Sequence, residues 1–468
     1  MDCCIPKKSS LKGKGLWPWL IFSTGGISHP AGVSMASIDS RKNALNILRR
    51  WFTGKAYIDH LLQKDEHPLN LQSRRFRDAL VHQTIQWHRQ SETLIAQFLK
   101  SSQKPLLQTW ILLLMGAAEI FHMEGTEDHG TVHSLVSLAG HQKNFVNAIL
   151  RQLIRFRDAG GYEHFMVDSS VSPGVRHSFP DWLVERWQRQ FGDELEHLLS
   201  TLNQSPVRMV RLMEDTARER VIETLKDLDI FMDIHPDRED FFTVSSIQPL
   251  MNHEIFTTGA VTIQDVSSVL PEYFFPEGGI YQACDVCSAP GGKTAALLKQ
   301  TLPEGKIFAY DVDGRRLKQV DETLRRLNFS QYILEEADAR NHTFPHVDLY
   351  LVDAPCSGFG VIRKRSDLRW RRHPEDLETL RALQLEILEN VSRAVPPGGE
   401  IIYSTCTFDK AENVEVLQAF LDTHPEFSWG DPPLHAPEHW KDGALPILRT
   451  YPHRHDCEGS FAGRVKRT

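Results

Sequence analysis

The sequence predicts a multidomain protein in which an all-α helical bundle and a small α/β connector precede a larger α/β domain. Residues 36–165 carry apolar side chains at helical spacing. From about residue 255 to 410, strand-like apolar runs alternate with helical runs, which is the signature of βαβ units and a parallel sheet. The length of 468 residues favours two to four domains. We expect an extension at 1–35, then domains at 36–165, 166–250 and 251–468.

Composition and charge limit the classes of function. The net charge is -8 and the pI is near 6.3, so any contact with nucleic acid must use local basic patches. Seven cysteines, an odd number spread over a long chain, do not form a disulfide framework, and we expect a cytoplasmic protein. No run of about 18 apolar residues is present, so no membrane helix is expected. The basic and then apolar start only faintly resembles a signal peptide. We interpret it as a disordered extension, or as an upstream start with the true one at Met35.

The first domain shows clear helical patterns. Val146, Ile149, Leu150, Leu153 and Ile154 fall on one face of a helix. The mostly apolar run 106–120 predicts a central buried helix of a bundle. A group of arginines indicates either solvated helix faces or contact with an anionic partner: Arg41, Arg49, Arg50, Arg74, Arg75 and Arg77.

The sequence of the connector, 166–250, supports fewer structural predictions. Ser178 is predicted to be a helix N-cap, with Pro180 in the first turn. Short apolar pieces at 208–212 and 240–244 are candidate strands. No residue pattern here predicts chemistry.

The α/β domain carries the chemistry. Its predicted strands and helices follow in chain order: strands 282–287, 306–311, 332–336, 347–352 and 399–404, and helices 293–300, 314–327 and 375–394.

The first of these strands runs into a glycine loop, 285–294. Two glycines let the backbone approach a ligand, and the next helix offers its amino terminus. A Walker A phosphate loop is disfavoured, since Cys287 stands where that pattern needs glycine. The isolated Cys284-x-x-Cys287 pattern has no partner at metal spacing, so we expect neither a metal nor redox use.

Acidic residues follow the next two strands. Asp311 lies about 20 residues after the loop, where a carboxylate can accept from a ribose hydroxyl. The alternative is a role for Asp311 in capping the next helix. Asp338 lies where an adenine amino group could be recognised. The pattern therefore predicts a nucleoside-containing cofactor.

Two thiols end two later strands. Strand 347–352 delivers Asp353 and Cys356, and strand 399–404 delivers Cys406. In a doubly wound sheet these ends converge beside the ligand. Core packing and a redox pair are the competing interpretations. The loop 360–372 places six cations around Trp370, which is typical of phosphate contact and base stacking. A charged surface loop is the alternative.

These motifs resemble a known family. Residues 285–294, 353–358 and 403–407, with Glu412-Asn413 and the segment 264–268, are similar to the RNA 5-methylcytosine methyltransferases of the RsmB/NOL1/NOP2/Sun family. The segments 41–48, 114–119 and 145–151 resemble the NusB-like RNA-binding helical domain. The resemblance implies a Rossmann-like domain that uses S-adenosyl-L-methionine to methylate a cytosine in RNA.

The resemblance also assigns residues. It implies that Cys406 is the nucleophile, that Cys356 is the base that releases the product, and that Asp353 holds the proton of the ring nitrogen. The target cytosine cannot react while it is stacked in a duplex, so it must be unstacked or single-stranded. By position, the cofactor pocket comprises Cys287, Ser288, Ala289, Pro290, Gly291, Gly292, Lys293, Asp311, Asp338 and Asp353.

We expect a monomer that acts on small-subunit (16S) ribosomal RNA, with no membrane partner. A transfer-RNA cytosine methyltransferase and a non-catalytic RNA-binding scaffold are the alternatives. Three departures from the family pattern affect the expected RNA site: Ser366 stands where proline is usual, Met213 where asparagine is usual, and residues 456–461 replace an Asp-Gly-Phe-Phe motif.

Overall fold

The structure, a computed structural model, describes residues 38–100, 104–433 and 435–468. The expected extension at 1–35 lies outside the described residues. The first domain is all-α, as predicted. Its helices are α1 Ile38–Thr53, α2 Ile58–Gln63, α3 Leu71–Gln86, α4 His88–Ala96, α5 Leu107–His122, α6 Asp128–Leu138, α7 Lys143–Asp158 and α8 Gly161–Val167.

Helix α5 is the centre of this bundle. All of its residues from Thr109 to Ile120 are buried, and it contacts α1, α3, α4, α6 and α7. The predicted apolar face of α7, from Val146 to Ile154, packs into the same core. Gly116 brings α5 close to α7, because a Cβ there would lie 2.3 Å from a methyl group of Leu150.

A buried ion pair joins α1 to α5. Glu119 is 1% exposed and accepts hydrogen bonds from Nε and Nη2 of Arg41 at 2.9 and 2.5 Å, and from the Thr131 hydroxyl at 2.8 Å. Arg77 is likewise buried and paired, with Asp65. The interpretation of Arg41 and Arg77 as cations for an anionic partner is therefore wrong, since their charges are satisfied inside the domain.

We expect Glu119→Ala to destabilise the helical domain by about 3–5 kcal/mol, because it leaves the Arg41 guanidinium buried without its counter-ion. The urea midpoint of the first unfolding transition of the full chain measures this. Glu124→Ala, at an exposed position just after α5, is the matched control and should leave the midpoint unchanged. An equal midpoint for the two variants would contradict the structural role of the pair.

The connector combines short helices with a four-stranded antiparallel sheet. Its elements are α9 Pro173–Arg176, α10 Asp181–Phe191, α11 Leu195–Thr201, β1 Met209–Leu212, α12 Arg218–Asp227, β2 Met232–His235, β3 Arg238–Val244, α13 Glu254–Thr257 and β4 Val261–Ile263. The strand order is β2-β3-β1-β4. Both predicted strands are present, as β1 and β3.

The predicted cap of α10 is wrong. The N-cap is Pro180, with extended backbone, whereas Ser178 has a positive φ of 59°. The Ser178 hydroxyl accepts a hydrogen bond from the backbone N–H of Arg89 at 3.1 Å. Ser178 thus connects the connector to the helical domain instead of capping a helix.

The third domain is a doubly wound α/β domain. Its elements are β5 Ile280–Asp285, α14 Gly292–Lys299, β6 Thr301–Asp311, α15 Gly314–Arg326, β7 Tyr332–Glu336, β8 Leu349–Asp353, α16 Leu368–Arg371, α17 Pro374–Ser392, β9 Glu400–Thr405, α18 Val414–Thr423, β10 Phe427–Trp429, β11 Ile447–Thr450, α19 Pro452–His455 and β12 Ser460–Arg467.

The sheet of this domain is mixed. Strands β7, β6, β5, β8 and β9 are parallel neighbours in that order, which are the five strands predicted. Strand β12 pairs antiparallel with β9, and β10 and β11 pair with β12. These last three strands were not predicted. Within the described ranges, no helix combines the length and apolar composition needed to cross a membrane.

The basic loop 360–372 is an interdomain contact. Asp367 accepts hydrogen bonds from the Ile58 amide at 2.8 Å and the Trp51 indole at 3.4 Å. Arg371 donates to the carbonyl of Trp51 at 2.7 Å, and the Trp370 indole donates to a carbonyl of α3 at 2.7 Å. Helix α16 is therefore fastened to the helical domain.

The predicted use of Arg369, Trp370 and Arg371 for phosphate contact and base stacking is wrong, since these side chains are bonded within the protein. Arg369 is 0% exposed, lies 3.9 Å over the ring of Phe179 and donates to Asn203 at 2.8 Å.

Candidate active site

The candidate site lies where the sheet changes direction. From β5 the chain proceeds outward through β6 and β7, and it then returns to place β8 on the other side of β5. Ligands of such sheets bind at this switch point, at the carboxyl ends of the strands. The loops after β5, β8 and β9 meet here, and they carry the glycine loop, Asp353 with Cys356, and Cys406.

The glycine loop leads into the amino terminus of α14. Gly291 has φ of 102°, and a Cβ there would lie 3.3 Å from Val320 of α15. Glycine is therefore required by backbone conformation and by packing. A Cβ on Gly292 would meet only the Gln264 amide nitrogen at 3.5 Å. This side of the helix start is open, so the loop can receive a ligand against backbone N–H groups.

Asp311 and Asp338 lie at the ends of β6 and β7, but their surroundings differ. Asp311 is 3% exposed and accepts from the amides of Ala289 and Asp313 at 3.2 and 3.1 Å. It therefore holds the glycine loop as well as the turn before α15, and Asp313 is the residue that caps the helix. Asp338 is half-buried and pairs with Arg340 at 2.6 Å.

Two thiols face each other across the carboxyl ends of β8 and β9. The Sγ atoms of Cys356 and Cys406 are 3.3 Å apart, and both are half-buried free thiols. This separation is too long for a disulfide bond, which is about 2.05 Å, and it is a hydrogen-bond distance for sulfur. Neither thiol is simply core packing, since each lies at a strand end beside Asp353.

The hydrogen bond between the thiols polarises the pair. It lowers the pKa of Cys406 against the opposing effect of burial, and the charges of Lys293 and Arg365 add to the lowering. The same hydrogen bond and burial raise the pKa of Cys356 well above its ordinary value. The opposite shifts favour the thiolate at Cys406 and the thiol at Cys356, which makes Cys406 the better nucleophile.

Lys293 and Asp353 form the polar side of the site. Nζ of Lys293 donates to Oδ2 of Asp353 at 2.8 Å. Burial opposes the charge on Lys293, but Asp353 outweighs it and raises the pKa of the lysine. A fixed cation and a carboxylate therefore lie beside the two thiols. Among the described residues, no three His, Cys, Asp or Glu side chains are grouped as ligands of one metal ion.

Several residues that hold these loops were not predicted. Glu412 is 0% exposed and accepts from the amide and hydroxyl of Ser357 at 2.8 and 2.5 Å. Asn413 accepts from Thr405 at 2.6 Å, just before Cys406. Arg372, which follows α16, donates to the carbonyl of Cys356 at 3.2 Å. The pair Glu412-Asn413 was noticed only as a family motif, and nothing in the local sequence indicates these long-range contacts.

The altered motif 456–461 contacts Asp265 and the start of the basic loop. The Glu458 amide donates to Asp265 at 3.1 Å, and the Cys457 carbonyl accepts from Arg363 at 2.7 Å. Lys364 lies 3.4 Å from Asp265. The segment therefore holds the start of the basic loop.

We expect the alkylation rate of Cys406 to follow a pKa below the ordinary thiol value, because the thiolate is the reactive form. Lys293→Met removes a charge that favours the thiolate, so the pKa rises and the rate profile moves to higher pH. Iodoacetamide labelling at a series of pH values, read by peptide mass spectrometry, measures this. Lys318→Met, at an exposed position on α15, should not move the profile, and an equal profile for both variants would contradict the assignment.

Comparison with known proteins identifies each domain. Residues 280–466 match the family described as 16S rRNA methyltransferase RsmB/F, and residues 38–155 match the NusB family. Residues 179–249 match the ferredoxin-like domain of RsmF/B-like methyltransferases. The α/β domain with its paired thiols is thus a methyltransferase catalytic domain.

Relatives along the whole chain specify the family. A probable ribosomal RNA small subunit methyltransferase B of Synechocystis is 30% identical over 92% of this chain and 100% of its own length. A protein of the same description from Bacillus subtilis is 29% identical, over 91% of this chain and 98% of its own. The chain belongs to the RsmB/F methyltransferase family, with a NusB-like domain at its front.

Solved structures show the same fold. The crystal structure of PH0851 superposes with a TM-score of 0.73 and 22% identity, covering 93% of this chain and 100% of that one. NSun6 from Pyrococcus horikoshii superposes with a TM-score of 0.55 and 19% identity, over 62% of this chain and 99% of its own. Both likenesses concern the fold alone.

Proposed function

We propose that this protein transfers a methyl group from S-adenosylmethionine to carbon-5 of a cytosine in small-subunit ribosomal RNA, through a covalent bond to Cys406. The observation that carries the proposal is the pair of thiols 3.3 Å apart beside the Lys293–Asp353 pair. Carbon-5 of cytosine is a poor nucleophile, and a thiolate added at carbon-6 makes it reactive. A second thiol is explained if the product needs a base for its release.

The glycine loop and the strand ends fit the cofactor. The glycine loop lies at the carboxyl end of β5 and is bonded to Asp311 at the end of β6, which is buried where a ribose is expected. The residues that would hold it are Cys287 to Lys293, Asp311, Asp338 and Asp353. When bound, S-adenosylmethionine supplies an electrophilic methyl group beside the thiols.

In the first step, the Cys406 thiolate forms a bond to carbon-6. The electrons of the carbon-5–carbon-6 double bond move towards carbon-4 and nitrogen-3. Asp353 takes up a proton from solvent when the cytosine binds and passes it to nitrogen-3. Carbon-5 takes the methyl group with the electron pair it has gained. Lys293 keeps the carboxyl of Asp353 in place and favours the Cys406 thiolate before attack.

In the second step, Cys356 acts as the base. Once the Cys406 sulfur is bonded to carbon-6, it is no longer the thiolate acceptor of the hydrogen bond that is the main cause of the raised pKa of Cys356. Cys356 then loses its proton to solvent and takes the proton from carbon-5. The carbon-5–carbon-6 double bond forms again, the bond from sulfur to carbon-6 breaks, nitrogen-3 returns its proton to Asp353, and the thiolate of Cys406 is restored.

The choice of ribosomal RNA is supported by the relatives, which are described as small subunit methyltransferases along their whole length. The NusB-like domain supports an RNA substrate as well. Its exposed cations, Arg49, Arg50, Arg74 and Arg75, remain available for phosphate contact.

Methyl transfer to unmodified RNA tests the proposal. Purified protein and S-adenosylmethionine are incubated with a 16S transcript, with small subunits built from it, and with transfer-RNA transcripts, and bisulfite sequencing locates 5-methylcytosine. We expect one cytosine of the small-subunit RNA to be modified. Modification of transfer RNA alone would show the alternative substrate, and no transfer to any cytosine would support the non-catalytic scaffold.

A further inference from the structure

A cavity of about 270 Å³ lies between the connector and the catalytic domain. Strands β1 and β4 and their neighbouring residues form one wall. The glycine loop and α15 form the other. The cavity reaches Lys293 and Asp353, so it is continuous with the site of the two thiols. Its volume is close to the lower end of ligand pockets, about 300 Å³.

The walls of the cavity carry unbalanced positive charge. Its two carboxylates are both paired, Asp353 with Lys293 at 2.8 Å and Asp265 with Lys364 at 3.4 Å. In the part of the chain that the structure describes, the lining residues Arg208 and Arg326 contact no carboxylate.

Each of these arginines is held by the protein without charge neutralisation. Arg208 donates to the carbonyl of Ser245 at 3.1 Å. Arg326 donates to the carbonyl of Phe256 at 2.8 Å, among others, and its buried Nε has no acceptor. Burial without a counter-ion lowers the pKa of Arg326 to about 10. An anion in the cavity would stabilise both charges.

The rest of the lining combines apolar surface with one buried hydroxyl. Met209, Met213 and Ile263 present apolar surface, and methionine adapts its shape to a ligand. Ser288 is 4% exposed, and its hydroxyl has no hydrogen-bond partner. A buried hydroxyl without a partner is costly unless a ligand supplies one. Met213 is one of the positions at which this chain departs from the family pattern.

We propose that this cavity binds the nucleotide next to the target cytosine in the RNA, with its base against Met213 and its phosphate near Arg208 and Arg326. The inference rests on the proposed function and adds a specificity site to it. The cavity shares Lys293, Asp353 and part of the glycine loop with the catalytic site, so its occupant lies beside the reacting base. A single nucleotide supplies an apolar base face for the methionines, a hydrogen-bonding edge for the buried hydroxyl and a negative charge for the two arginines.

The positive charge of Arg208 and Arg326 argues against the cofactor as the occupant of this part of the cavity. S-adenosylmethionine has a sulfonium, an ammonium and a carboxylate, and so it carries a net positive charge. Two arginines without counter-ions would repel it. A phosphodiester, by contrast, is the anion that arginine binds through paired hydrogen bonds.

Two variants and two matched controls test the inference. Met213→Trp fills the cavity, and Ile234→Trp adds the same ring at a half-exposed position of β2. Arg208→Met removes a cavity charge, and Arg218→Met removes a connector arginine that likewise donates to one carbonyl. Binding of a 16S transcript is measured as a function of salt, and binding of S-adenosylhomocysteine is measured by calorimetry.

We expect Met213→Trp to weaken RNA binding about tenfold, or about 1.4 kcal/mol, and Arg208→Met to reduce the log–log salt slope by about 0.7. Neither should change the affinity for S-adenosylhomocysteine. Loss of that affinity with unchanged RNA binding would assign the cavity to the cofactor and overturn the inference. If Met213→Trp does not fold, the salt slope of Arg208→Met decides alone.

The outcome is separable from that of the proposed function. A wild-type protein that methylates 16S RNA while all four variants bind RNA equally well would refute the cavity site and leave the function standing. If the wild-type protein methylates no cytosine, but its RNA binding depends on Met213 and Arg208 as expected, the proposed function is refuted and the cavity site is supported.

Discussion

Replacing Cys406 by alanine is expected to reduce methyl transfer by more than about 10³-fold, as loss of a covalent nucleophile does. Without the Cys406 sulfur, no bond to carbon-6 forms and carbon-5 stays unreactive. Transfer of labelled methyl groups to a 16S transcript measures the rate, and a denaturing gel should show no protein–RNA adduct. Cys284→Ala is the matched control, because Cys284 is a core thiol on β5 that is 0% exposed.

A Cys406→Ala protein that retained transfer, or that accumulated an adduct, would refute the role of Cys406. The structure favours this assignment over the reverse because Cys406, not Cys356, has the lowered pKa. Lys293 and Arg365 contribute to that difference.

Replacing Cys356 by alanine is expected to give the opposite phenotype, a covalent RNA adduct that accumulates. Methyl transfer still occurs once, but no base removes the carbon-5 proton and Cys406 cannot leave. The adduct should migrate slowly on a denaturing gel and contain one methyl group per RNA. Loss of the Cys356 hydrogen bond also raises the pKa of Cys406, so the adduct should form faster as the pH rises.

The comparison of the two variants is decisive for the roles. An adduct with Cys406→Ala and none with Cys356→Ala would reverse the assignment. Absence of an adduct in both, with the double variant no worse than either, would show that the thiols do not act through a covalent intermediate.

The parallel half of the catalytic sheet could be predicted from the sequence alone. Strands such as 347–352 are short apolar runs that end in glycine or proline, and burial on both faces produces this pattern. The convergence of Cys356 and Cys406 also followed, because neighbouring parallel strands end at one edge of the sheet. The structure places both thiols there.

Other features could not be predicted because they depend on distant parts of the chain. Strands β10 and β11 have only three and four residues and are defined by pairing with β12. Arg369 lies in a loop whose basic and aromatic composition is typical of an RNA contact. Its guanidinium instead donates hydrogen bonds to carbonyls and to Asn203 of the connector. The local sequence shows which groups can donate hydrogen bonds, but it does not show which acceptors the fold brings close to them.

The hydrogen bonds that join α16 to the helical domain limit how the protein can be divided into fragments. A fragment that begins at residue 251 would expose the Trp370 indole and leave Asp367 without its donors from the helical domain. Two residues after Trp370, Arg372 donates to the carbonyl of Cys356. The helical domain is therefore not a detachable module, and exchanging it for that of a relative would require exchanging α16 as well.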